Sequence, residues 1–576
     1  MAELRIVAVP NGDDVVIAWW ASAVEKSLGF AVERQVKGKP ATYLETEVPF
    51  RNEQKATRDE RRPSTAWPIQ RFIWTDHLAD GAEVRYRVRA VKGTSADPRP
   101  VAASEASPWT RYVSATTQST PGYHFFPNRG IVASQWVDDE LDALASASPD
   151  QTVAALLKSA IGTPHGRLRG RLAGPVLRAL REEFARAAGD GEEIHLALYE
   201  LRDQELIDLI AAAGPRAHVV LANGAFDAED PDPNKDGAKQ LRAKNVDVTR
   251  RMVKPGHFAH NKFVVFGSPG SARVWTGSTN WTPSGLCTQS NHAILVDDHV
   301  LADAYLDYWK RLRAAKHGFP ANLVAVNDAP GQAANNGPIT TRAWFTPVTK
   351  TRDLADARAL IRGAEQGALF LMFRPGNTKT LIDDIKTLHD RGLFIRGVVN
   401  KGFLGSAQTR PTIEFFNKSR DGKPVRPEIL LPERLQDDVG SLEREQSNSG
   451  PLIHSKTVVL DPFGDHPVVI TGSHNLGTKA SADNDDNLLI IENAPGIARE
   501  FAVYIMTVYE QYQWRYGRTL RAQAAQNPAR VAKAAAKPAA AASTWSGLVP
   551  GSGWQDKTYR DKVRPEVDFW FGSTKH

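Results

Sequence analysis

A histidine and a lysine stand two residues apart at two places in the chain. His260 and Lys262 open the run HNKFVVF, and His454 and Lys456 open the run HSKTVVL. Both apolar runs predict a strand, on which residues two apart share a face. An imidazole and an ammonium that point to one place suit a cluster of phosphoryl oxygens, because the lysine supplies positive charge and the histidine can transfer a proton.

A second short motif follows each histidine at nearly the same distance. After a predicted tight turn and a returning apolar strand, the chain reads GSTN in the first case and GSHN in the second. The glycine would let the backbone approach a ligand, and the serine and asparagine can donate hydrogen bonds or cap a helix whose N-terminal amides favour anions. The residues are Gly277, Ser278 and Asn280, and Gly472, Ser473 and Asn475. We interpret the duplicated set as a phosphate clamp with two histidines.

These motifs resemble the H-x-K-x(4)-D and G-S-x-N motifs of the phospholipase D superfamily, over roughly residues 190 to 515. The resemblance implies a metal-free attack on a phosphodiester, with no cofactor. One histidine becomes phosphorylated, the other protonates the leaving oxygen, and water or an alcohol releases the product. The lysines and asparagines would neutralise and orient the phosphoryl oxygens, and the serines and glycines would bind substrate. On this resemblance the catalytic residues are His260, Lys262, Asn280, His454, Lys456 and Asn475.

The two copies differ at the aspartate of the first motif. The second copy has Asp461 there, whereas the first has Gly267. The position ends a strand at a turn, where aspartate and glycine are both common. We therefore interpret this residue as architectural and its absence from the first copy as tolerable.

The copies also differ after G-S-x-N, where the family resemblance implies a carboxylate that bonds a histidine. The second copy offers Asp486 and the first offers Asn291. A carboxylate stabilises imidazolium, which suits a general acid, whereas an amide leaves its histidine neutral, which suits a nucleophile. If each partner serves its own copy, His260 is the nucleophile and His454 the acid. A crossing of partners between the copies would remove that argument.

The order of predicted strands and helices along the chain indicates an α/β protein preceded by an all-β domain. Residues 1–118 read as short strands between turns, typical of a small antiparallel sandwich, and the strand YRVRAV loosely resembles a fibronectin type III module. Residues 119–190 are predicted to be a helical connector. An Ala-rich linker and an aromatic tail, which we expect to fold back onto the body of the protein, occupy residues 524–576.

Between these regions the order strand, helix, strand occurs twice, in residues 191–345 and again in residues 346–523. Each repeat ends in H-x-K and G-S-x-N. This order predicts a parallel inner sheet, and the repetition indicates an internal duplication. We expect a pseudo-symmetric, duplicated phospholipase D-like α/β/α body with the active site where the halves meet.

Composition leaves the partner and the compartment open. The 576 residues carry a formal net charge of +6, and a pI near 9.1 would suit nucleic acid or a phospholipid surface. The one cysteine, Cys287, excludes an internal disulfide framework. No signal peptide or apolar span of membrane length is evident, so we expect a cytoplasmic protein or one exported without a recognisable signal. The oligomeric state is not indicated.

Several other features have ordinary explanations. Asp232, Asn234, Asp236 and Gly237 follow a calcium-loop pattern, but Ala243 stands where the bidentate glutamate belongs, which favours a solvated loop. The basic run from Thr163 to Gly174 could touch phosphates and is more typical of a solvated face. Trp19 and Trp20 are assigned to packing. Further histidines are assigned to packing or to the surroundings of the site, not to a metal: His257, His292 and His474.

Four substrates or roles remain. Phospholipid headgroup cleavage is favoured by analogy with long two-motif members of the superfamily. A metal-independent nuclease is the alternative, supported by the basic pI, and a phosphatidyl transferase ranks third because such enzymes usually carry membrane segments. The non-catalytic alternative is a scaffold whose inactive α/β body binds anions.

Overall fold

The structure is a computed structural model, and it describes residues 4–54, 60–77, 82–114, 120–130, 134–223, 232–253, 256–334, 337–376, 380–399, 429–430, 453–526 and 547–572. The chain divides into two compact units. The N-terminal unit comprises Met1–Gln118, Arg499–Tyr504 and Leu520–His576, and the α/β unit comprises Ser119–Ala498 and Ile505–Thr519. Among the described residues, no helix has the length and apolar character needed to cross a bilayer.

In its described residues the N-terminal unit contains ten strands. They are β1 Arg5–Pro10, β2 Val15–Trp20, β3 Gly29–Val36, β4 Thr42–Tyr43, β5 Glu45–Thr46, β6 Arg62–Pro63, β7 Ile73–Asp76, β8 Glu83–Thr94, β9 Asp97–Pro100 and β10 Val113–Ser114. One sheet has the order β1-β2-β7, a second has the order β10-β8-β3-β4 with β9 on β8, and β5 pairs with β6. The strand-rich prediction is confirmed, and the fibronectin type III resemblance stays a prediction.

The aromatic tail of the chain packs within this unit. Helix α13, Lys557–Phe571, lies against β2. The indole of Trp554 donates to the carbonyl of Ser27 at 2.9 Å, and the Arg560 guanidinium lies 4.4 Å from the ring centroid of Trp20. The expected return of the tail is therefore seen, onto the N-terminal strands. The Ala-rich linker and Trp545 lie outside the described residues.

The α/β unit contains two mixed sheets and the remaining elements. Its strands are β11 Tyr123–Pro127, β12 Ile194–Leu198, β13 Ala217–Ala222, β14 Asp247–Arg251, β15 Lys262–Phe266, β16 Arg273–Gly277, β17 His292–Val296, β18 Gly331–Gln332, β19 Thr340–Phe345, β20 Gly367–Met372, β21 Phe394–Val399, β22 Ile429–Leu430, β23 Lys456–Leu460, β24 Val468–Gly472 and β25 Asn487–Glu492. Its helices are α1 Ser134–Ala147, α2 Val153–Gly162, α3 Arg167–Asp190, α4 Gln204–Ala213, α5 Lys235–Ala243, α6 Pro283–Cys287, α7 His299–Ala315, α8 Ala321–Asn327, α9 Arg352–Gly363, α10 Leu381–Asp390, α11 Thr478–Asp483 and α12 Pro495–Gln526.

The two sheets repeat one topology. The first half is the seven-stranded sheet β11-β17-β16-β15-β12-β13-β14 with its helices, and the second half is the eight-stranded sheet β18-β19-β25-β24-β23-β20-β21-β22 with its helices. In each half the inner pair, β12 with β13 or β20 with β21, is parallel, and the motif strand pairs antiparallel with the first of them. Each half has its own buried apolar cluster. The predicted α/β duplication is confirmed.

The boundaries predicted from the sequence need two corrections. The segment called a helical connector begins with β11, which pairs with β17 and so belongs to the first sheet. The segment assigned to the end of the first half contains β18 and β19, and β19 pairs with β25 in the second sheet. Strand periodicity identifies a strand but not its partner, so pattern alone could not assign these edge strands.

Candidate active site

The two halves exchange backbone hydrogen bonds where the motif histidines lie. The His260 amide donates to the carbonyl of Asp485 at 2.8 Å, and the His454 amide donates to the carbonyl of Ser290 at 3.0 Å. Asp485 and Ser290 stand immediately before Asp486 and Asn291, the predicted histidine partners. Each motif strand therefore enters its own sheet only after pairing with the other half, and this places both H-x-K pairs at the junction between the halves.

The histidine partners cross between the halves. Nδ1 of His260 lies 2.8 Å from Oδ1 of Asp486. Nδ1 of His454 lies 3.0 Å from Oδ1 of Asn291 and 3.1 Å from the carbonyl oxygen of Ser278. The expectation that each partner serves its own copy is wrong, because the residue before each histidine forms a β-bridge with the opposite half, Ala259 with Asp485 and Ile453 with Ser290. The argument that made His260 the nucleophile loses its premise.

Both rings are held in one tautomer. The partners of Nδ1 are acceptors, so Nδ1 carries the proton and Nε2 of the neutral ring keeps its lone pair. Among the described residues neither Nε2 has a hydrogen-bond partner, and the two rings are only 5% and 4% exposed. Each ring thus presents one unpaired nitrogen for chemistry.

Burial favours the neutral forms of both histidines. It lowers the pKa of His260 to about 4, and the positive charge of Lys262 adds to the effect. Burial and the charge of Lys456 lower the pKa of His454 well below its usual value. Burial opposes the ionisation of Asp486, but the charge and the hydrogen bond of His260 hold the pKa of that carboxyl below its usual range.

The two lysines are buried and equally placed. Nζ of Lys262 donates to the carbonyl of His260 at 2.6 Å, and Nζ of Lys456 donates to the carbonyl of His454 at 2.5 Å. Burial lowers the pKa of Lys262 to about 7, against the opposing charges of Asp486 and Glu200. Burial and the charge of Lys262 lower the pKa of Lys456 well below its ordinary value. An anion between the two ammonium groups would favour their charged forms.

The serines and glycines of G-S-x-N are not placed to bind substrate, which corrects the prediction. The hydroxyls of Ser278 and Ser473 are fully buried and donate to Asn291 at 2.9 Å and to Asp486 at 2.6 Å. They hold the histidine partners. Gly277 and Gly472 have positive φ, and a Cβ at either would collide with the carbonyl of the neighbouring strand, so the close approach is to backbone and not to a ligand.

The asparagines of the motif reach the same region. Asn280 is 7% exposed, and its Nδ2 donates to Oε2 of Glu200 at 2.5 Å. The Oδ1 atoms of Asn280 and Asn475 are buried and have no hydrogen-bond partner among the described residues. A phosphoryl oxygen accepts only, so the NH2 groups of these amides, and not their oxygens, are the atoms that could bond it.

Two aromatic rings that the sequence did not single out flank the histidines. Tyr199 directly follows β12 and its ring centroid lies 4.8 Å from that of His260, and Phe373 directly follows β20 and lies 4.9 Å from that of His454. Nζ of each lysine lies over the same ring, at 5.0 and 4.9 Å. Both rings directly follow the first strand of the parallel pair in their half, so they occupy matched positions.

A family model described as "Cardiolipin synthase, PLD-like domain" matches residues 180–313 and 358–509, one match in each half. The chain belongs to the phospholipase D superfamily. No curated protein sequence matches it significantly.

Solved structures similar to this superfamily member include three from different organisms. Phosphatidylserine synthase of Haemophilus influenzae Rd KW20 is 12% identical, with 57% of this chain and 83% of that chain covered and a TM-score of 0.38. Nuc of Salmonella typhimurium, a phospholipase D family member, is 16% identical over 30% and 95%, with a TM-score of 0.22. Yeast tyrosyl-DNA phosphodiesterase is 10% identical over 53% and 85%, with a TM-score of 0.32.

The aspartate of this phospholipase D-like chain's second motif lies at the far end of its strand from the histidine. Asp461 has φ of 48° and its carboxylate accepts from the amides of Glu365, Gln366 and Gly367 at 2.8 to 2.9 Å. Gly267, its counterpart, has φ of 99°. Both residues turn the chain, and the carboxylate additionally ties β23 to the start of β20.

A buried ion pair that the sequence did not reveal supports the crossing. Nε of Arg251, the last residue of β14, donates to Asp485 at 2.8 Å, and both side chains are 1% exposed. Burial raises the pKa of Asp485 to about 6, against the opposing charge of Arg251. Asp485 also supplies the carbonyl that receives the His260 amide. The pair therefore anchors the segment that carries Asp486.

Two interpretations of charged segments are corrected. Asn234 is fully buried and begins α5, so the calcium-like pattern starts a helix and not a solvated loop, and Asp232 pairs with Arg250 at 2.6 Å. Within the described ranges no group of three His, Cys, Asp or Glu side chains could hold a metal ion. In the basic run, Arg169 is 1% exposed and pairs with Asp203 at 2.7 Å, so this part is interior and not a solvated face.

The remaining singled-out side chains lie around the site or in cores. His292 is fully buried, with Nε2 2.6 Å from the hydroxyl of Thr471 in the other half. His474 is fully buried and its Nδ1 accepts from the amide of Leu476 at 2.9 Å. His257 lies 2.9 Å from the carbonyl of Asp483. Trp19 is fully buried and packs edge-on against Phe30, as assigned.

Proposed function

We propose that the protein is a phospholipase D-type phosphodiester hydrolase that works through a phosphohistidine. The observation that carries this proposal is the crossed pair of histidines, one bonded to Asp486 and the other to Asn291, beside two buried lysines. The site offers two unpaired imidazole nitrogens and two cations to one anionic group. These are the groups that nucleophilic attack and proton transfer at a phosphoryl centre require.

His260 is proposed as the nucleophile, on a different ground from the one the sequence offered. With a pKa of about 4 the ring is neutral at physiological pH, so the Nε2 lone pair is available. When Nε2 bonds to phosphorus the ring acquires a positive charge, and the carboxylate of Asp486 at 2.8 Å from Nδ1 compensates it. His454 has only neutral acceptors at Nδ1 and lacks that compensation.

His454 is proposed as the general acid and then the general base. In the first step the Nε2–P bond of His260 forms, the bond from phosphorus to the leaving oxygen breaks, and the Nε2 proton of His454 passes to that oxygen. In the second step His454 takes a proton from water, whose oxygen attacks phosphorus while the N–P bond breaks. A neutral amide partner makes His454 a stronger acid than a carboxylate partner would, which assists departure of a poor leaving group.

Lys262, Lys456 and the two motif asparagines are proposed to hold the non-bridging phosphoryl oxygens. The negative charge of the substrate would raise the pKa of both lysines and of His454, so binding itself would supply the protonated acid. With Lys262 at a pKa of about 7 in the empty site, kcat/KM is expected to decline above about pH 7.

Phospholipid is the first substrate candidate, and the description of the matching family model, which names a phospholipid enzyme, supports it. Nucleic acid is the second candidate. It is supported by the pI near 9.1 and by Tyr199 and Phe373, whose rings beside the histidines could stack on bases. Both substrates present the same phosphodiester monoanion to the site, so the chemistry above serves either.

The first test is release of choline from phosphatidylcholine vesicles by purified protein in excess EDTA, with single-stranded DNA cleavage measured in parallel. Release that is lost in His260→Ala and His454→Ala supports the lipid enzyme. DNA cleavage with the same losses, weakening steeply with salt, supports the nuclease. If neither substrate nor bis(p-nitrophenyl) phosphate is cleaved, the hydrolase proposal fails and an anion-binding scaffold remains.

A further inference from the structure

The two halves differ at one position beside the site. Glu200 follows Tyr199 in the first half, and Arg374 follows Phe373 in the second. The backbone positions are equivalent because each pair directly follows the first strand of the parallel pair in its half. The charges are opposite, and a carboxylate beside a site for anions is unfavourable unless it has a task.

Glu200 is held in place from several directions. Its side chain is 14% exposed. Oε1 accepts a hydrogen bond from the Arg202 guanidinium at 2.9 Å, and Oε2 accepts one from Nδ2 of Asn280 at 2.5 Å. The fully buried side chain of Asn234 braces the same segment by donating to the carbonyl of Tyr199 at 2.8 Å and accepting from the amide of Leu201 at 2.9 Å. The carboxylate is therefore a fixed acceptor and not a mobile surface charge.

The contact with Asn280 decides which way that amide faces. A carboxylate accepts only, so it must meet the NH2 group of Asn280 and not its oxygen. One Nδ2 hydrogen is used by Glu200 and the other remains for a phosphoryl oxygen. Without this acceptor the amide could rotate and turn its oxygen toward an anion, which would repel it.

The negative charge acts on the cations as well. Glu200 opposes the lowering of the pKa of Lys262 and of Lys456 by burial. The second half has no equivalent, because Arg374 is exposed and its guanidinium lies over the Phe373 ring at 4.9 Å. One carboxylate in the first half thus serves both lysines.

We propose that Glu200 is a positioning residue, which fixes the amide of Asn280 for the phosphoryl group and contributes a negative charge to the surroundings of the two lysines. The proposal deepens the phosphodiesterase function above and rests on it. Two substitutions separate the two tasks. Glu200→Gln keeps an acceptor for Asn280 and removes the charge, whereas Glu200→Ala removes both.

The experiment is the pH profile of kcat/KM on bis(p-nitrophenyl) phosphate. Glu200→Gln should keep the plateau of kcat/KM on the acid side of pH 7 within about twofold but move the alkaline limb about half a unit to lower pH, since loss of the carboxylate favours neutral lysine. Glu200→Ala should show the same movement and a plateau about tenfold lower, as for a lost hydrogen bond to a charged group. That loss should vanish in an Asn280→Ala background.

The matched control is Glu193→Gln, the same charge change at the other end of β12, where Glu193 bonds His218. This substitution should leave both the plateau of kcat/KM and the pH of its alkaline decline unchanged. Unchanged profiles in both Glu200 variants, or an undiminished Glu200→Ala loss in the Asn280→Ala background, would overturn the proposal.

Binding of inorganic phosphate, followed by calorimetry across pH, repeats the comparison without turnover. Wild-type protein that binds phosphate but cleaves no diester would count against the hydrolase and would still test Glu200. In that case an affinity that falls off at lower pH in Glu200→Gln than in wild type supports the proposal, and an identical pH dependence refutes it.

Discussion

The two halves of the active site share a backbone plan and differ in electrostatics. His260 and His454 leave equivalent strands, pair with equivalent backbone groups of the opposite half and lie beside equivalent aromatic rings. His260 is hydrogen-bonded to the carboxylate of Asp486, and His454 is hydrogen-bonded to the amide oxygen of Asn291. The duplicated fold therefore gives the two histidines equivalent positions, while a single difference at a matched position gives each histidine a different hydrogen-bond partner.

The comparison is tested most strongly by removing each histidine. His260→Ala should abolish cleavage of every diester, because no nucleophile remains. His454→Ala should lower kcat/KM by about 10²- to 10⁴-fold on an alkyl diester, as expected for loss of general acid catalysis, and less on a p-nitrophenyl diester whose leaving group needs no proton. Steady-state rates on the matched pair of substrates measure both effects.

The exposed His466, which contacts Asn493, provides the control, and His466→Ala should be silent. The opposite pattern, with nitrophenyl ester cleavage surviving in His260→Ala, would exchange the two roles. Phosphate trapped on His454 in a denatured reaction mixture would do the same.

Exchanging the partners should give a smaller effect. Asp486→Asn makes the surroundings of His260 like those of His454, and we expect kcat/KM to fall about 100-fold because the phosphorylated ring loses its counterion. Asn291→Asp adds a carboxylate beside His454 and should raise the pKa of its imidazole, since a nearby anion favours the charged form. NMR titration of the ring Cε1–H reports this directly.

Retention of full activity by Asp486→Asn would show that the carboxylate does not compensate charge on His260. A His454 pKa unchanged by Asn291→Asp would mean that the partner groups do not divide the roles. Ser278 and Ser473 remain in both variants, so the orientation of the new side chains is supported as in the parent.

The smallest expected effect concerns the position at which Asp461 faces Gly267. Asp461→Ala leaves the amides of Glu365, Gln366 and Gly367 without their acceptor, and we expect the free energy of unfolding to fall by about 2 kcal/mol. Activity per folded molecule should not change, because the carboxylate lies at the far end of β23 from His454. Urea denaturation and kcat/KM of the same preparation measure the two quantities, and a large loss of kcat/KM would give Asp461 a part in the chemistry.

Much of the site followed from spacing alone. The H-x-K and G-S-x-N residues could be placed together because alternate residues of a strand share a face and because the same order of elements occurs twice. The parallel pair of each half likewise followed from apolar runs and the helix between them, whereas the antiparallel pairing of the motif strand with that pair did not. Tyr199 and Phe373 were missed because an aromatic residue after a strand has no pattern that separates a site wall from a core.

What the sequence determined by itself was therefore the set of reactive groups and the duplication, both of which depend on local periodicity, while the resemblance of the motifs to a family implied the class of chemistry. The tertiary structure decided which side chains are hydrogen-bonded to each other. The crossing of Asp486 and Asn291, the reassignment of Ser278 and Ser473 to support, and the contact of Glu200 with Asn280 join residues from separate strands and, in the crossing, from separate halves. Such pairings are set by how two sheets meet at an interface, and no spacing within one chain segment records that meeting.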